Sequence, residues 1–167
     1  MPEIRVYKRP KSDANKNIIR KHVRPKEHNF LKWWRVVRYW AHRKYGLSTE
    51  QIEMLLYLYD QPLFSRTDFK NFEGLLPWDK TRLKEFQDKG LITVWRDHVG
   101  YKKQAKMYEL TVKSKRICSS IYKKLTQEEH IPENAINNPV FKGNGYSDRM
   151  YRKIMKKMNE QRDSTRN

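Results

Sequence analysis

Apolar residues recur along this chain with a helical period in most places and an alternating one in a few. Over residues 27–45, Phe30, Trp33, Trp34, Val37, Trp40 and Ala41 return every three or four positions, with Lys32, Arg35, Arg38, His42 and Arg43 filling the other side. That spacing predicts an amphipathic helix with a heavy aromatic face. Gly46 separates it from Ser48-Thr49-Glu50-Gln51, a capping box that opens a second helix to about Asp60, with Ile52, Leu55, Leu56 and Tyr59 inward. Gln61-Pro62 breaks it. A second capping box, Ser65-Arg66-Thr67-Asp68, starts a short helix through about Phe72, with Phe69 and Phe72 on its inner face and Glu73-Gly74 as its stop. Pro77 and Asp79 suit the first turn of a further helix over 77–89, which points Leu83 and Phe86 inward and closes at Lys89-Gly90.

Beyond Gly90 the pattern changes. Leu91-Ile92-Thr93-Val94-Trp95 is β-branched and aromatic, and Lys106-Met107-Tyr108-Glu109-Leu110 alternates as a half-buried strand does. Between them, residues 96–104 form a hairpin with a basic tip. Thr111 then caps a helix to about Thr126, with Val112, Ile117, Ile121 and Leu125 inward. Residues 130–145 hold Pro132, Pro139, Gly143, Gly145 and four asparagines, the composition of a loop or linker. From Ser147 a last helix carries a stripe of Met150, Tyr151, Ile154, Met155 and Met158, with Arg149, Arg152, Lys153, Lys156 and Lys157 around the rest. The stripe needs a partner: a second subunit, its own domain, or another protein.

The run Lys89-Gly90-Leu91-Ile92, the hairpin, and Glu109-Leu110-Thr111-Val112-Lys113-Ser114-Lys115 resemble the end of the recognition helix, the wing and the L-T-x-x-G opening of the next helix in MarR-type winged-helix regulators. The resemblance covers roughly residues 47–125. Ser114 stands where the family has glycine, and Trp78-Asp79-Lys80 stands where small hydroxyl residues are common. The resemblance implies a winged helix-turn-helix with extra N- and C-terminal helices, mainly α with a small β-hairpin wing, hence α+β. It also implies a dimer in which the first helix joins the last ones, so Trp33, Trp34, Trp40, Ile154, Met155 and Met158 become candidate interface residues. The expected organisation is a basic arm over 1–26, the winged domain with flanking helices over 27–129, a linker over 130–145, and a basic helix and tail over 146–167.

Charge sharpens this picture. The 167 residues carry a formal +18. Residues 1–26 hold nine basic and two acidic side chains and residues 142–167 hold eight and three, leaving a net +6 for the middle. A basic protein of this kind points to a polyanion, because its cations displace the counterions condensed on nucleic acid. The arm can track phosphates or enter a minor groove through Arg5, Lys8, Arg9, Lys11, Arg20, Lys21 and Arg24, or it can be a solvated tail. At the other end Arg149, Arg152, Lys153, Lys156 and Lys157 are the phosphate-contact candidates. The compact size and basic ends also suit a virus-encoded (phage) factor.

The leading expectation is a double-stranded DNA-binding protein that regulates transcription. Helix 77–89 enters the major groove with Trp78, Lys80, Thr81, Arg82 and Lys84 as base or backbone contacts, Trp78 alternatively being wedged into the core. Arg96, His98, Tyr101, Lys102 and Lys103 of the wing meet the backbone or the minor groove. Two other readings stay open: a protein-interaction or virion-assembly module, for which the methionine stripe speaks, and an RNA-binding protein whose aromatics stack on unpaired bases.

No enzyme is expected. The histidines at 22, 28, 42, 98 and 130 show no metal-ligand spacing, Glu128-Glu129-His130 reads as a solvated helix end, and no Walker, Rossmann or nucleophile-elbow pattern is present. No cofactor is implied. The single cysteine, Cys118, excludes an internal disulfide and reads as a small buried hydrophobe. No apolar run approaches a bilayer span and no signal-peptide pattern opens the sequence, so a cytoplasmic protein with no membrane partner is expected.

Overall fold

The aromatic stripe at 30–45 builds the element on which the others lean. The computed structural model describes residues 30–73, 82–97 and 105–166, so the expectations for the arm, the start of helix 77–89 and the hairpin tip lie outside the described residues. Helix α1 (Phe30–Tyr45) buries Trp33, Val36, Val37, Trp40 and Ala41. Val36 belongs to this set because α1 is covered from several directions, by α2 (Thr49–Tyr59), α5 (Val112–Leu125), α6 (Pro139–Lys142) and α7 (Tyr146–Arg166). Phe30, expected inward, stands at the start of the helix and is 39 % exposed.

Both capping boxes form. Ser48 Oγ accepts from the Gln51 amide at 3.2 Å while the Ser48 amide donates to Gln51 Oε1 at 3.1 Å. At the second box the Ser65 amide donates to Asp68 Oδ2 at 2.7 Å, and Ser65 Oγ accepts from the Thr67 and Asp68 amides. The Ser65 amide and the Ser65 hydroxyl, which donates to the same Asp68 oxygen at 2.8 Å, hold the Asp68 carboxyl below the usual carboxylate range. Along α2 the inward set is Ile52, Met54, Leu55 and Leu58; Tyr59 lies exposed against Tyr122, with ring centroids 5.8 Å apart.

Strand β1 (Phe64–Ser65) leads into α3 (Arg66–Glu73), and α4 (Arg82–Asp88) leads into β2 (Ile92–Arg96) and β3 (Met107–Leu110). The three strands form an antiparallel sheet in the order β1-β3-β2, with Phe64 opposite Tyr108 and Ile92 opposite Leu110. The fold is therefore mainly helical with one small sheet, an α+β arrangement. A two-residue strand has no period to read, so β1 could not be expected from the pattern; Phe64 is fully buried beside Tyr108, 6.0 Å away.

After β3, Thr111 caps α5 by accepting from the Ser114 amide at 3.3 Å. Ile117, Cys118, Ile121 and Leu125 face the core, but Val112 is 65 % exposed, so the inward stripe begins one turn later than expected.

Residues 130–145 do not act as a spacer. Ile131, Asn138 and Val140 have no exposed surface, and two asparagine side chains replace the hydrogen bonds that regular structure would supply. Asn138 Nδ2 donates to the Pro132 carbonyl at 2.7 Å and its Oδ1 accepts from the Val140 amide. Asn159 of α7 accepts from the Ile131 amide at 3.1 Å and donates to the Ile131 carbonyl at 2.9 Å. This is why the asparagine-rich segment packs although its composition suggests a linker.

Helix α7 runs antiparallel to α1. Lys32 Nζ reaches Gln161 at 2.9 Å near one end, Tyr39 donates to Asp148 at 2.8 Å near the other, and the Tyr39 and Tyr151 rings stack at 4.0 Å. Met155 and Met158 are buried, and Tyr151 and Ile154 pack against the same core. The residues expected at a dimer interface are thus covered within one chain: Trp33, Trp40, Met155 and Met158 are buried, and Trp34 and Ile154 are half-buried against them. The apolar surplus that motivated the dimer is taken up by α7 folding back on α1. Among the described residues no helix is long and apolar enough to cross a membrane.

Candidate nucleic-acid interface

Helix α4 is held on its inner side by Phe86, fully buried and edge-on to Phe69 at 6.0 Å, and by Leu83. The 3.6 period then turns Lys84 outward, where it is exposed. Of the other recognition candidates, Arg82 opens α4 and Trp78, Lys80 and Thr81 lie outside the described residues. The flank of α4 is tied to α2: Gln51, buried at the α2 cap, donates to Glu85 at 2.5 Å and accepts from Lys89 at 3.0 Å, and Lys89 pairs with Glu85 at 2.9 Å. This network fixes the rotation of α4 and leaves Lys84 free of it.

The end of α4 is equally constrained. Gly90 has φ +63°, its amide donates to Gln87 O at 2.9 Å, and the Leu91 amide donates to Phe86 O at 2.8 Å, the paired bonds of a Schellman stop. The start of α5 grips the same turn: Thr111 Oγ1 donates to the Gly90 carbonyl at 3.0 Å, and the fully buried Ser114 donates to the Leu91 carbonyl at 2.6 Å. Ser114 therefore supplies a hydroxyl bond that a glycine at this position would lack.

In the hairpin, Asp97 and Lys106 pair at 3.0 Å where the described strands end. His98, Tyr101, Lys102 and Lys103 lie beyond, outside the described residues. Arg96 is half-buried, its guanidinium 5.6 Å from the ring centroid of Trp95, and its buried Nε has no hydrogen-bond partner among the described residues. Trp95 is 52 % exposed. The register slips between Val94 and Arg96, so Trp95 sits at the irregularity rather than in a regular pair. It was not singled out from the sequence, although alternation from buried Ile92 places Thr93 and Trp95 together on the outer face.

A second basic surface runs along α7. Arg149, Lys153, Lys156 and Lys157 are exposed and make no ion pair among the described residues. Arg152 differs. Its Nη2 donates to the Gly143 carbonyl at 2.7 Å and its Nε to the Asp148 carbonyl at 3.3 Å, so it closes the α6–α7 turn rather than facing a phosphate. Arg5, Lys8, Arg9, Lys11, Arg20, Lys21 and Arg24 lie outside the described residues.

The segment 128–130 is more than a solvated helix end. Glu129 pairs with Lys123 and Lys124, both at 3.1 Å, and Lys124 is 4 % exposed with its ammonium 4.6 Å from the Trp40 ring centroid. Burial pulls the Lys124 pKa below the ordinary lysine value, and hydrogen bonds from Lys124 and Lys123 pull the Glu129 carboxyl down. His130 lies 3.5 Å from Asp163, and His42 Nδ1 lies 2.6 Å from the Leu47 carbonyl. Among the described residues no three His, Cys, Asp or Glu side chains converge as a metal site would require. Comparison of the chain with protein-family models, with curated proteins and with solved structures gives no match.

Proposed function

We propose that residues 48–110 form a winged helix-turn-helix that binds double-stranded DNA, and that the protein regulates transcription through it. The observation that carries this reading is the order of elements: α2, β1, α3, α4, then the β2–β3 hairpin, with β1 joining the sheet beside β3. In that order α4 is the recognition helix. Leu83 and Phe86 anchor it, Lys84 faces outward, and the connection between β2 and β3 carries His98, Lys102 and Lys103 in its sequence. Base edges would be read by Lys84 together with Lys80 and Thr81, while the wing and the basic face of α7 would meet phosphates.

The decisive experiment is binding of the full chain to random duplexes at several salt concentrations, with Lys84→Ala and Lys102→Ala beside the parent. Lys84→Ala should cost roughly 1–3 kcal/mol and relax preference at particular base positions, whereas Lys102→Ala should weaken all sequences alike. No enrichment of any sequence, with Lys84→Ala binding as the parent does, would remove the regulator reading.

One observation favours a second reading. Trp95, half-exposed beside Arg96 in the hairpin, offers a stacking surface for unpaired bases, which suits RNA or single strands. Trp95→Ala separates the two: a loss confined to single-stranded ligands supports stacking, and an equal loss on duplex places Trp95 in the wing contact. The assembly-module reading loses its main support, since Met155 and Met158 are covered by the protein's own core.

A further inference from the structure

A pocket of about 260 Å³ lies where α1, the first turn of α2 and α7 meet, lined by Arg35, Arg38, Tyr39, His42, Thr49 and Tyr151. Its cations follow from helical spacing. Positions 35, 38, 39 and 42 fall within one arc of α1, on the side away from Trp33, Val37 and Trp40. We propose that this pocket binds a phosphate group, carried either by a free mononucleotide or by the backbone of a nucleic acid. The site lies on elements other than α4 and the hairpin, and the inference goes beyond the proposed function.

Four features carry it. First, charge: Arg35 is exposed and has no ion pair among the described residues. Arg38 lies 3.8 Å from Glu53, the outer limit of a pair, and a guanidinium with five donors can hold that carboxylate on one edge and a second anion on the other. Second, the nearest buried carboxylate is already engaged: Asp148 accepts from Tyr39 at 2.8 Å and pairs with Arg43 at 3.5 Å. Third, shape. Two arginines one turn apart on α1, with Thr49 of α2 also in the lining, fit the non-bridging oxygens of a tetrahedral phosphate, monoester or diester, better than the coplanar pair of a carboxylate. His42 is held by its Nδ1 contact with Leu47 O, leaving Nε2 as the ring's remaining polar atom.

The fourth feature is the wall. Tyr39 and Tyr151, stacked on one another at 4.0 Å with planes 10° apart, put an aromatic pair at the cationic edge. The volume is below the roughly 300–1,000 Å³ typical of drug-sized ligands, so the occupant is a phosphate with little more than its sugar, its base reaching outward along the tyrosines.

The test uses the full chain, titrated calorimetrically at constant ionic strength with inorganic phosphate, AMP and, as a planar control, acetate. A labelled duplex is titrated in parallel, and Arg35→Ala, Arg35→Lys and Lys84→Ala are compared with the parent. Expected are saturable phosphate binding and no saturable acetate binding, with Arg35→Ala weakening the phosphate ligand about tenfold and Arg35→Lys recovering part of the loss. If a free nucleotide is the source, AMP binds more tightly than phosphate. If the source is a nucleic-acid backbone, Arg35→Ala weakens duplex binding and lowers its salt slope by about one ion. Lys84→Ala leaves phosphate and AMP binding unchanged, so failure of the duplex reading is seen separately. Acetate binding as tightly as phosphate overturns the proposal. So does the absence of saturable phosphate or AMP binding when Arg35→Ala also leaves duplex affinity unchanged.

Discussion

Replacing Lys124 with methionine should leave the protein as stable as before, or more stable, although it removes a charge that touches Glu129, Ser120 and the Trp40 ring. The ammonium gains about 2 kcal/mol from a desolvated cation–π contact at most. Its pair with Glu129 adds no more than about 1 kcal/mol, because that carboxylate is 43 % exposed and screened by water. Against these gains stands the removal of an ammonium from water, several kcal/mol for a side chain that is 4 % exposed. The terms nearly cancel or favour methionine, whose unbranched stem fills the same space over Trp40. Lys124→Met should therefore unfold within about 1 kcal/mol of the parent or above it, while Lys124→Ala, which empties the space, should lose about 2 kcal/mol or more. For a chain of this size that is a fall of roughly 4–8 °C in Tm, read by circular dichroism. The acid limb gives an independent check. Glu129 has its pKa lowered in the folded state, so its contribution is present above the unfolded carboxylate value and is lost as the pH falls through the folded one. That loss should be smaller in Lys124→Met. If Lys124→Met fell as far as Lys124→Ala, the charge and not the stem would be holding the site.

Burial pushes the Cys118 thiol up to about 12, so iodoacetamide should leave it unmodified in the native protein and label it at the rate of global unfolding; fast labelling in native buffer would show that α5 opens locally. Gly90→Ala should cost about 1–2 kcal/mol by chemical denaturation, purely from its φ of +63°, since an added Cβ would meet nothing within 4 Å. Deleting residues 1–26 should preserve the near-ultraviolet signature of the core and flatten the salt dependence of nucleic-acid binding. Deleting residues 142–167 should abolish that signature, because Met155, Met158 and Asn159 go with them.

Local chemistry was legible in the sequence and distant packing was not. The capping boxes at Ser48 and Ser65, the stop at Gly90 and the alternation into Leu110 each depend on residues within a few positions of one another, and each appears where its pattern places it. An apolar stripe says that it will be covered but not by what, so Trp33, Trp40, Met155 and Met158 fitted a dimer face as well as a core. Asparagine composition says that backbone is irregular, yet Asn138 and Asn159 use their carboxamides to bury it. For the candidate site, Lys84 follows from helical period alone. Arg152 was misplaced among phosphate contacts because its charge gives no sign of the carbonyls it meets. The pocket at Arg35 needs Tyr151 brought back from the far end of the chain, which no local pattern encodes.

The pairing of α1 with α7 also sets a schedule for synthesis. Tyr39 and Asp148 are 109 positions apart, and Lys32 and Gln161 are 129. At translation rates of about 5–20 residues per second, the tryptophan face of α1 leaves the ribosome roughly 5–20 s before α7 is available to cover it. For that interval the nascent chain displays the aromatic surface of α1 with part of its eventual lid still unmade. A protein with this topology depends on the late-made α7 for protection from aggregation, so ribosome-associated chaperones should hold truncated nascent chains that stop before Met155 longer than those that extend past Met158.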